Sequence, residues 1–224
     1  MLNNAQTIQD SAINKNRLFD FSLINGSQTQ RDDTTQLRQR ISELESELEL
    51  MRKELIRERY NASIDLLTGI ANRRAYQVRL QEERLRCQRE NKPLCLAIWD
   101  IDHFKSINDR FGHQAGDSVL QCVAKQITRR LRGSDFTARI GGEEFASLLP
   151  DCDTANAMRL AEQLRNKIDH CDFETELGPV QVTLSCGIAM LDPNESDEAF
   201  FARADAALYK AKASGRNMVY LANG

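Results

Sequence analysis

A chain of 224 residues, 41% hydrophobic and 28% charged, has the composition of one folded domain with an appendage. Its net charge of −3 provides no basic field to hold a phosphate backbone, which argues against general nucleic-acid binding. With no apolar run of about 18 residues and no charged-then-apolar start, the chain reads as soluble and cytoplasmic, with no membrane segment.

Residues 1–34 are rich in Asn, Gln, Ser, Thr and Asp around one short apolar cluster, LFDFSLI, and read as a polar arm that cannot build a core. Over residues 35–60 the pattern changes. Leu37, Ile41, Leu44, Leu48, Met51 and Leu55 recur at alternating steps of four and three, the a/d seam of a coiled coil. The narrow stripe and its charged flanks favour a parallel homodimer over a single amphipathic helix packed on its own domain.

Residues 61–224 form the main domain. In SIDLLTGIANRRAYQVRL, a Thr-Gly turn and Asn72 lead into a helix over about residues 72–89. A strand follows at LCLAIWDI, then helical segments through HFKSINDRFG and GDSVLQCVAKQITRRL, and a hairpin centred on TARIGGEEFASLL. A helix at DTANAMRLAEQLRNKID, a strand at VQVTLSCGIAM, a helix at SDEAFFARADAALYKAKAS and a last strand at NMVYLA complete the chain. This order predicts an α+β fold, a central mostly antiparallel or mixed sheet flanked by helices. Cys87, Cys95, Cys122, Cys152, Cys171 and Cys186 lack the close spacing of zinc sites and are expected as buried or half-buried thiols. His170, near a helix end, is expected to be structural or solvated.

Chemistry concentrates first at the end of the LCLAIWDI strand. Asp100 and Asp102 follow a run buried on both faces, and a period of two puts them on one side. An unpaired charge that deep is costly, so Asp100 requires a cation or a firm hydrogen-bond partner. Asp102 has two readings, a cap for the helix near Phe104 or a catalytic group. In the hairpin, Gly141-Gly142 suggests a two-residue turn with positive φ at both positions. Glu143 and Glu144 then open the return strand on opposite faces, and one can share a divalent ion with Asp100.

Taken together, these segments resemble the GGDEF-domain diguanylate cyclases in their glutamate form, GGEEF. The likeness runs through DLLTGIANRRAY, DIDHFKSINDRFGHQAGDSVL, GGEEF and ADAALYKAKASGRNMV, and it covers about residues 61–224. It implies a fold similar to the palm of nucleotide cyclases and polymerases, and condensation of two GTP into cyclic di-GMP with release of pyrophosphate. It further implies two Mg²⁺ ions per active site, with Mn²⁺ as a substitute, held by Asp100, the Ile101 carbonyl and Glu143. Glu144 supports the site or helps remove a proton. Asn108 and Asp117 are the implied guanine readers, where the residues alone also read as a helix-surface amide and an N-cap after Gly116. The amides around His103 and Phe104, with Lys105, Lys212 and Arg216, are the implied triphosphate contacts.

Arg132 and Asp135, in RGSD, sit at the spacing of the family's RxxD site, where cyclic di-GMP inhibits its own synthesis. Gln163 stands where many members carry a second arginine, with Arg159 and Arg165 nearby, which puts that inhibition in doubt. One such domain holds one GTP, so the coiled coil would bring two together. The competing reading is a catalytically silent sensor of GTP or cyclic di-GMP. Against it stands the complete set of Asp100, Glu143, Glu144, Asn108, Asp117, Lys212 and Arg216.

Overall fold

The computed structural model describes residues 34–58, 62–171, 173–175 and 178–223. Apart from Thr34, the polar arm expected over residues 1–34 lies outside them. The chain divides into two compact units, residues 1–59 and 60–224. In the first, helix α1 (residues 34–58) leaves the whole predicted seam exposed, from Leu37 at 63% to Leu55 at 49%.

The second unit follows the predicted alternation. Its elements are β1 (Ala71–Asn72), α2 (Arg73–Glu90), β2 (Leu94–Ile101), α3 (Phe104–Phe111), α4 (His113–Arg130), β3 (Phe136–Arg139), β4 (Glu144–Pro150), α5 (Thr154–Asp169), β5 (Phe173–Thr175), β6 (Gly178–Val180), β7 (Leu184–Met190), α6 (Asp197–Ala213) and β8 (Val219–Leu221). Short side chains start three helices: Asn72 accepts from the Ala75 amide, Asp153 from Asn156 and Ser196 from Ala199. The six-stranded sheet runs β1-β3-β4-β2-β7-β8, with its two edge pairs parallel and the rest antiparallel. β1 and the separate β5-β6 hairpin are too short to carry a readable alternation, and the sequence pattern gave no sign of them.

β2 lies in the middle of the sheet with all eight residues buried, as its unbroken apolar run predicts. Cys95, Ala97, Trp99 and Ile101 belong to the core that includes α3, α4 and α5 residues; Leu94, Leu96 and Ile98 belong to the one that includes α2 and α6 residues. Buried Ser147 is satisfied in a polar ladder, taking a hydrogen bond from Trp99 Nε1 at 3.1 Å and donating to Thr137 Oγ1 at 3.2 Å. All six cysteines are free thiols, four of them buried, and burial pushes Cys95 up to about 12. Burial likewise raises Cys87, Cys122, Cys152 and Cys186, which keeps those thiols protonated and poorly nucleophilic.

The sheet and α6 approach closely at Gly187 of β7. A Cβ there would run into the Ala204 carbonyl and the Leu208 amide and Cα, the backbone of α6 itself. No rotamer can relieve such a clash, so α6 must rise off the sheet if residue 187 gains a side chain. Gly187→Ala is therefore expected to cost about 3 kcal/mol or more, which a thermal melt of the full chain would register as a fall of several degrees.

Candidate active site

Asp100 ends β2 at 3% exposure, on the side of the sheet that α6 covers. Its direct counter-charge is Lys212 in the last turn of α6, with Nζ 2.7 Å from Oδ2. Burial raises the carboxyl to about 6; Lys212 opposes the rise, while Glu143 and Glu144 add to it. Burial also raises Glu143, again with Lys212 opposing and Glu144 reinforcing. Three carboxylates thus share one lysine, a surplus of negative charge on hard oxygen donors. That fits a divalent cation such as Mg²⁺. Among the described residues no group of three His, Cys, Asp or Glu forms a ready-made metal cluster. The expected donor set, two carboxylates and the Ile101 carbonyl, is of a different kind.

The hairpin that carries the glutamates differs from the expected two-residue turn. Arg139 pairs with Phe145, so Ile140 to Glu143 all lie between the paired ends, and the Ile140 and Gly141 amides both donate to the Glu144 carbonyl, at 2.9 and 3.3 Å. Neither glycine adopts positive φ. Gly141 instead leaves room for the Glu144 side chain, which folds over it and whose carboxylate end would have to shift if residue 141 carried a Cβ. Glu143 belongs to the turn and Glu144 alone begins β4, opposite Asp100 in register. The Ile101 amide donates to the Glu143 carbonyl at 3.3 Å, tying the turn to the end of β2.

A brace that the sequence reading missed supports the turn from behind. Arg139 donates through Nη2 and Nε to the Gly142 carbonyl at 2.7 and 3.2 Å, and through Nη1 to both oxygens of Asp65 at 3.1 and 3.3 Å. Although burial works against it, Asp65 is held below its ordinary value by the Thr68 hydroxyl and amide and by Arg139.

Asp102 neither caps α3 nor faces the acids. The helix is capped by His103, in the left-handed region at φ 57° with no side-chain cap bond. Asp102, 4% exposed, accepts hydrogen bonds from Ser185 Oγ at 2.7 Å, Thr183 Oγ1 at 2.8 Å and the Asn217 amide at 2.9 Å. Both Arg216 and Asn217 have positive φ, and Arg165 and Asp169 hold the Asn217 side chain at 2.8 and 3.2 Å. Asp102 therefore fixes the turn that presents Arg216, a role with no sequence signal because its partners lie 81 to 115 residues away.

At the start of α3 the Ser106 and Ile107 amides bond the His103 carbonyl at 2.8 and 3.2 Å. The N–H groups of Phe104 and Lys105 come before any carbonyl a turn earlier and are directed out of the helix end, where an anion is favoured. Lys105 is exposed beside them. α4 begins at His113, so Asp117 is not its N-cap but an exposed residue in the second turn. Gly116 lies directly under Asn108: a Cβ at 116 would overlap Asn108 Oδ1 and press on Phe104. That close crossing sets Asn108 against the part of α4 that carries Asp117.

Arg132 and Asp135 lie apart from these groups, before the opposite end of β3 from the glycine turn. The Arg132 amide donates to Asp135 Oδ2 at 2.8 Å and the Asp135 amide returns to the Arg132 carbonyl at 3.0 Å. Both line a cavity of about 240 Å³ with Arg130, Asn156, Arg159 and Gln163. Arg165, the other nearby arginine, is turned instead toward Glu162, Asn166 and Asn217.

The raised Asp100 has a consequence for stability. Between its ordinary 3.8 and about 6 the fold binds a proton that the unfolded chain does not, so stability rises as pH falls through that window. Asp100→Asn should stabilise the metal-free chain at pH 7.5, by on the order of 2–3 kcal/mol. The gain should shrink toward pH 4.5, as thermal melts across that range would register.

Residues 62–218 match the family model described as diguanylate cyclase, GGDEF domain. Among curated proteins, diguanylate cyclase DgcP of Pseudomonas aeruginosa is 44% identical over 186 residues, 83% of this chain and 28% of that protein. The chain thus spans under half the length of the first curated relatives it matches. Among solved structures, the coiled coil and GGDEF domain of DgcB from Caulobacter crescentus, in complex with c-di-GMP, superposes with a TM-score of 0.76 at 35% identity, covering 83% of this chain and 99% of that one. Diguanylate cyclase SiaD from P. aeruginosa, in complex with its activator SiaC, gives 0.69 at 33% identity over 97% and 89%. With the match spanning most of the second unit and its site, the chain belongs to the GGDEF family of diguanylate cyclases.

Proposed function

We propose that this chain condenses two GTP molecules into cyclic di-GMP, working as a dimer of its GGDEF domains. The observation that carries the reading is the buried Asp100 at the end of β2, facing Lys212 with Glu143 and Glu144 beside it. A buried carboxyl pushed up to about 6 is expensive as pure structure and useful where charge must be matched to a polyphosphate.

In each half-reaction the 3′-hydroxyl oxygen of one GTP bonds to the α-phosphorus of the other, the bond from that phosphorus to the β-phosphate bridging oxygen breaks, and pyrophosphate leaves with the electron pair. The hydroxyl proton departs as the new bond forms. Two such steps close the ring. Asp100, the Ile101 carbonyl and Glu143 would hold Mg²⁺ or Mn²⁺, two ions per site, which supply activation of the attacking oxygen and neutralisation of the phosphates. The first-turn amides of α3 bind and orient the β- and γ-phosphates, with Lys105 and Arg216 adding charge. Lys212, paired with Asp100 at 2.7 Å, would add its charge toward the triphosphate if a cation held that carboxylate. Glu144, folded on Gly141, supports the turn and helps take up the proton.

Guanine is read by the Asp117 carboxylate, which accepts from N1–H and the 2-amino group, and by the Asn108 amide. Product inhibition through Arg132 and Asp135 completes the reading. Gln163 lacks the charge of the second arginine, but Arg130 and Arg159 line the same cavity and can meet the product's phosphates.

The deciding experiment incubates the purified chain with GTP and Mg²⁺ and follows pyrophosphate and cyclic di-GMP together. Wild type should form both, Glu143→Ala should lose at least about a hundredfold in rate, and added cyclic di-GMP should slow wild type but not Arg132→Ala. No product from chain shown to be dimeric would favour a silent nucleotide sensor. A second test isolates base recognition. Gly116→Ala must displace the Asn108 amide, so KM for GTP should rise about tenfold or more while the chain keeps its fold by circular dichroism.

A further inference from the structure

The turn after α6 runs through three consecutive residues with positive φ, Gly215 at 121°, Arg216 at 65° and Asn217 at 48°. Glycine adopts such angles freely, whereas arginine and asparagine keep them only where their surroundings hold them. On its N-terminal side Arg216 is fastened by its own amide, which donates to the Ala211 carbonyl at 3.0 Å. On the other side the hold passes through Asn217. Its amide N–H goes to Asp102 at 2.9 Å, its Oδ1 accepts from Arg165 Nη1 at 2.8 Å, and its Nδ2 donates to Asp169 Oδ2 at 3.2 Å. A guanidinium at one end of the carboxamide and a carboxylate at the other admit one orientation, because the flipped amide would set donor against donor and acceptor against acceptor.

The two arginines are used in opposite ways. Arg165 has its whole fork engaged: Nε donates to Glu162 at 2.9 Å, Nη2 to Asn166 at 2.6 Å and Nη1 to Asn217, and its side chain is only 17% exposed. Asp169 is steadied in turn by Gln181 Nε2 at 3.4 Å. Arg216 is half-buried, and among the described residues no carboxylate pairs with its guanidinium. One arginine is saturated by protein and the other is left for a ligand.

We propose that Arg165 and Asp169, both on α5, are positioning residues for triphosphate binding: by fixing the Asn217 carboxamide they set the direction in which Arg216 leaves the turn. The proposal rests on the functional reading above, in which Arg216 meets the phosphates of GTP. Asp102 holds Asn217 at a single backbone N–H, about which the preceding peptide can still rotate. The two side-chain bonds from α5 remove that freedom, so the guanidinium is aimed before the nucleotide arrives.

A clamp that merely tied α5 to the strand after the turn would lower stability when cut and change nothing else. A positioning clamp leaves a narrower signature. Its loss weakens the hold on the β- and γ-phosphates and leaves guanine recognition by Asn108 and Asp117 as it was.

The test measures binding by calorimetry on the full chain, with Mg²⁺, of GMP and of a GTP analogue whose α–β bridging oxygen is a methylene group. Arg165→Met should bind the analogue about tenfold or more weakly than wild type while its affinity for GMP stays within about twofold. Arg216→Ala should show a similar loss, and Arg165→Met/Arg216→Ala should bind the analogue no more weakly than Arg216→Ala alone, because the clamp acts only through that guanidinium. Arg165→Lys keeps the charge but loses the fork, so it should show a smaller loss of the same kind, and it carries the comparison if Arg165→Met does not fold by circular dichroism. Losses that add in the double variant, or an equal loss for GMP and the analogue, would overturn the proposal while leaving the functional reading in place. Wild type that binds neither nucleotide would overturn that reading and the proposal with it.

Discussion

The site depends on how closely α6 can lie on the sheet. At Gly187 the helix backbone rests on β7 with no room for even one side-chain carbon. This approach fixes the distance at which the last turn of α6 passes the end of β2, and so whether Lys212 can reach Asp100. A helix lifted by the width of a methyl group would leave Asp100 buried without its cation. An uncompensated carboxylate at 3% exposure is among the more expensive defects a core can hold.

The same neighbourhood divides its acids by environment. Asp102, two residues beyond Asp100, is supplied with three donors and ties β2 to β7 and to the turn before β8. Asp100 has one lysine and two repelling glutamates. A satisfied carboxylate builds the frame, and an under-compensated one keeps a capacity for cations. The stability given up at Asp100 is the trade expected of a site arranged for charged ligands.

Most of the fold was legible because its signals are local. The fully apolar β2, the Asn72 cap and the four-three seam of α1 each fit within one element, and each reappears where the pattern puts it. Gly-Gly suggests positive φ, whereas neither glycine of the turn adopts it and Gly141 leaves room for the Glu144 side chain. The alternative reading of Asp117 as a cap fails because Gly116, which looks like a helix boundary, sits inside α4 to admit Asn108. In both cases the glycine serves a neighbouring side chain rather than its own backbone. The Asp65–Arg139 brace and the Asp102 hub were invisible for a simpler reason, since their partners are 74 to 115 residues apart and carry no periodicity.

β3 connects the two clusters of candidate site residues. The Arg132–Asp135 turn enters it directly, and the strand ends in Arg139, whose guanidinium holds the Gly142 carbonyl of the acidic turn. It is only four residues long and paired along its length to β4, so it behaves as a stiff link rather than a hinge. A ligand bound in the cavity at one end has little capacity to reshape the turn at the other through so short and well-braced a strand. The inhibition proposed for that cavity would therefore have to act otherwise than by distorting the acidic turn.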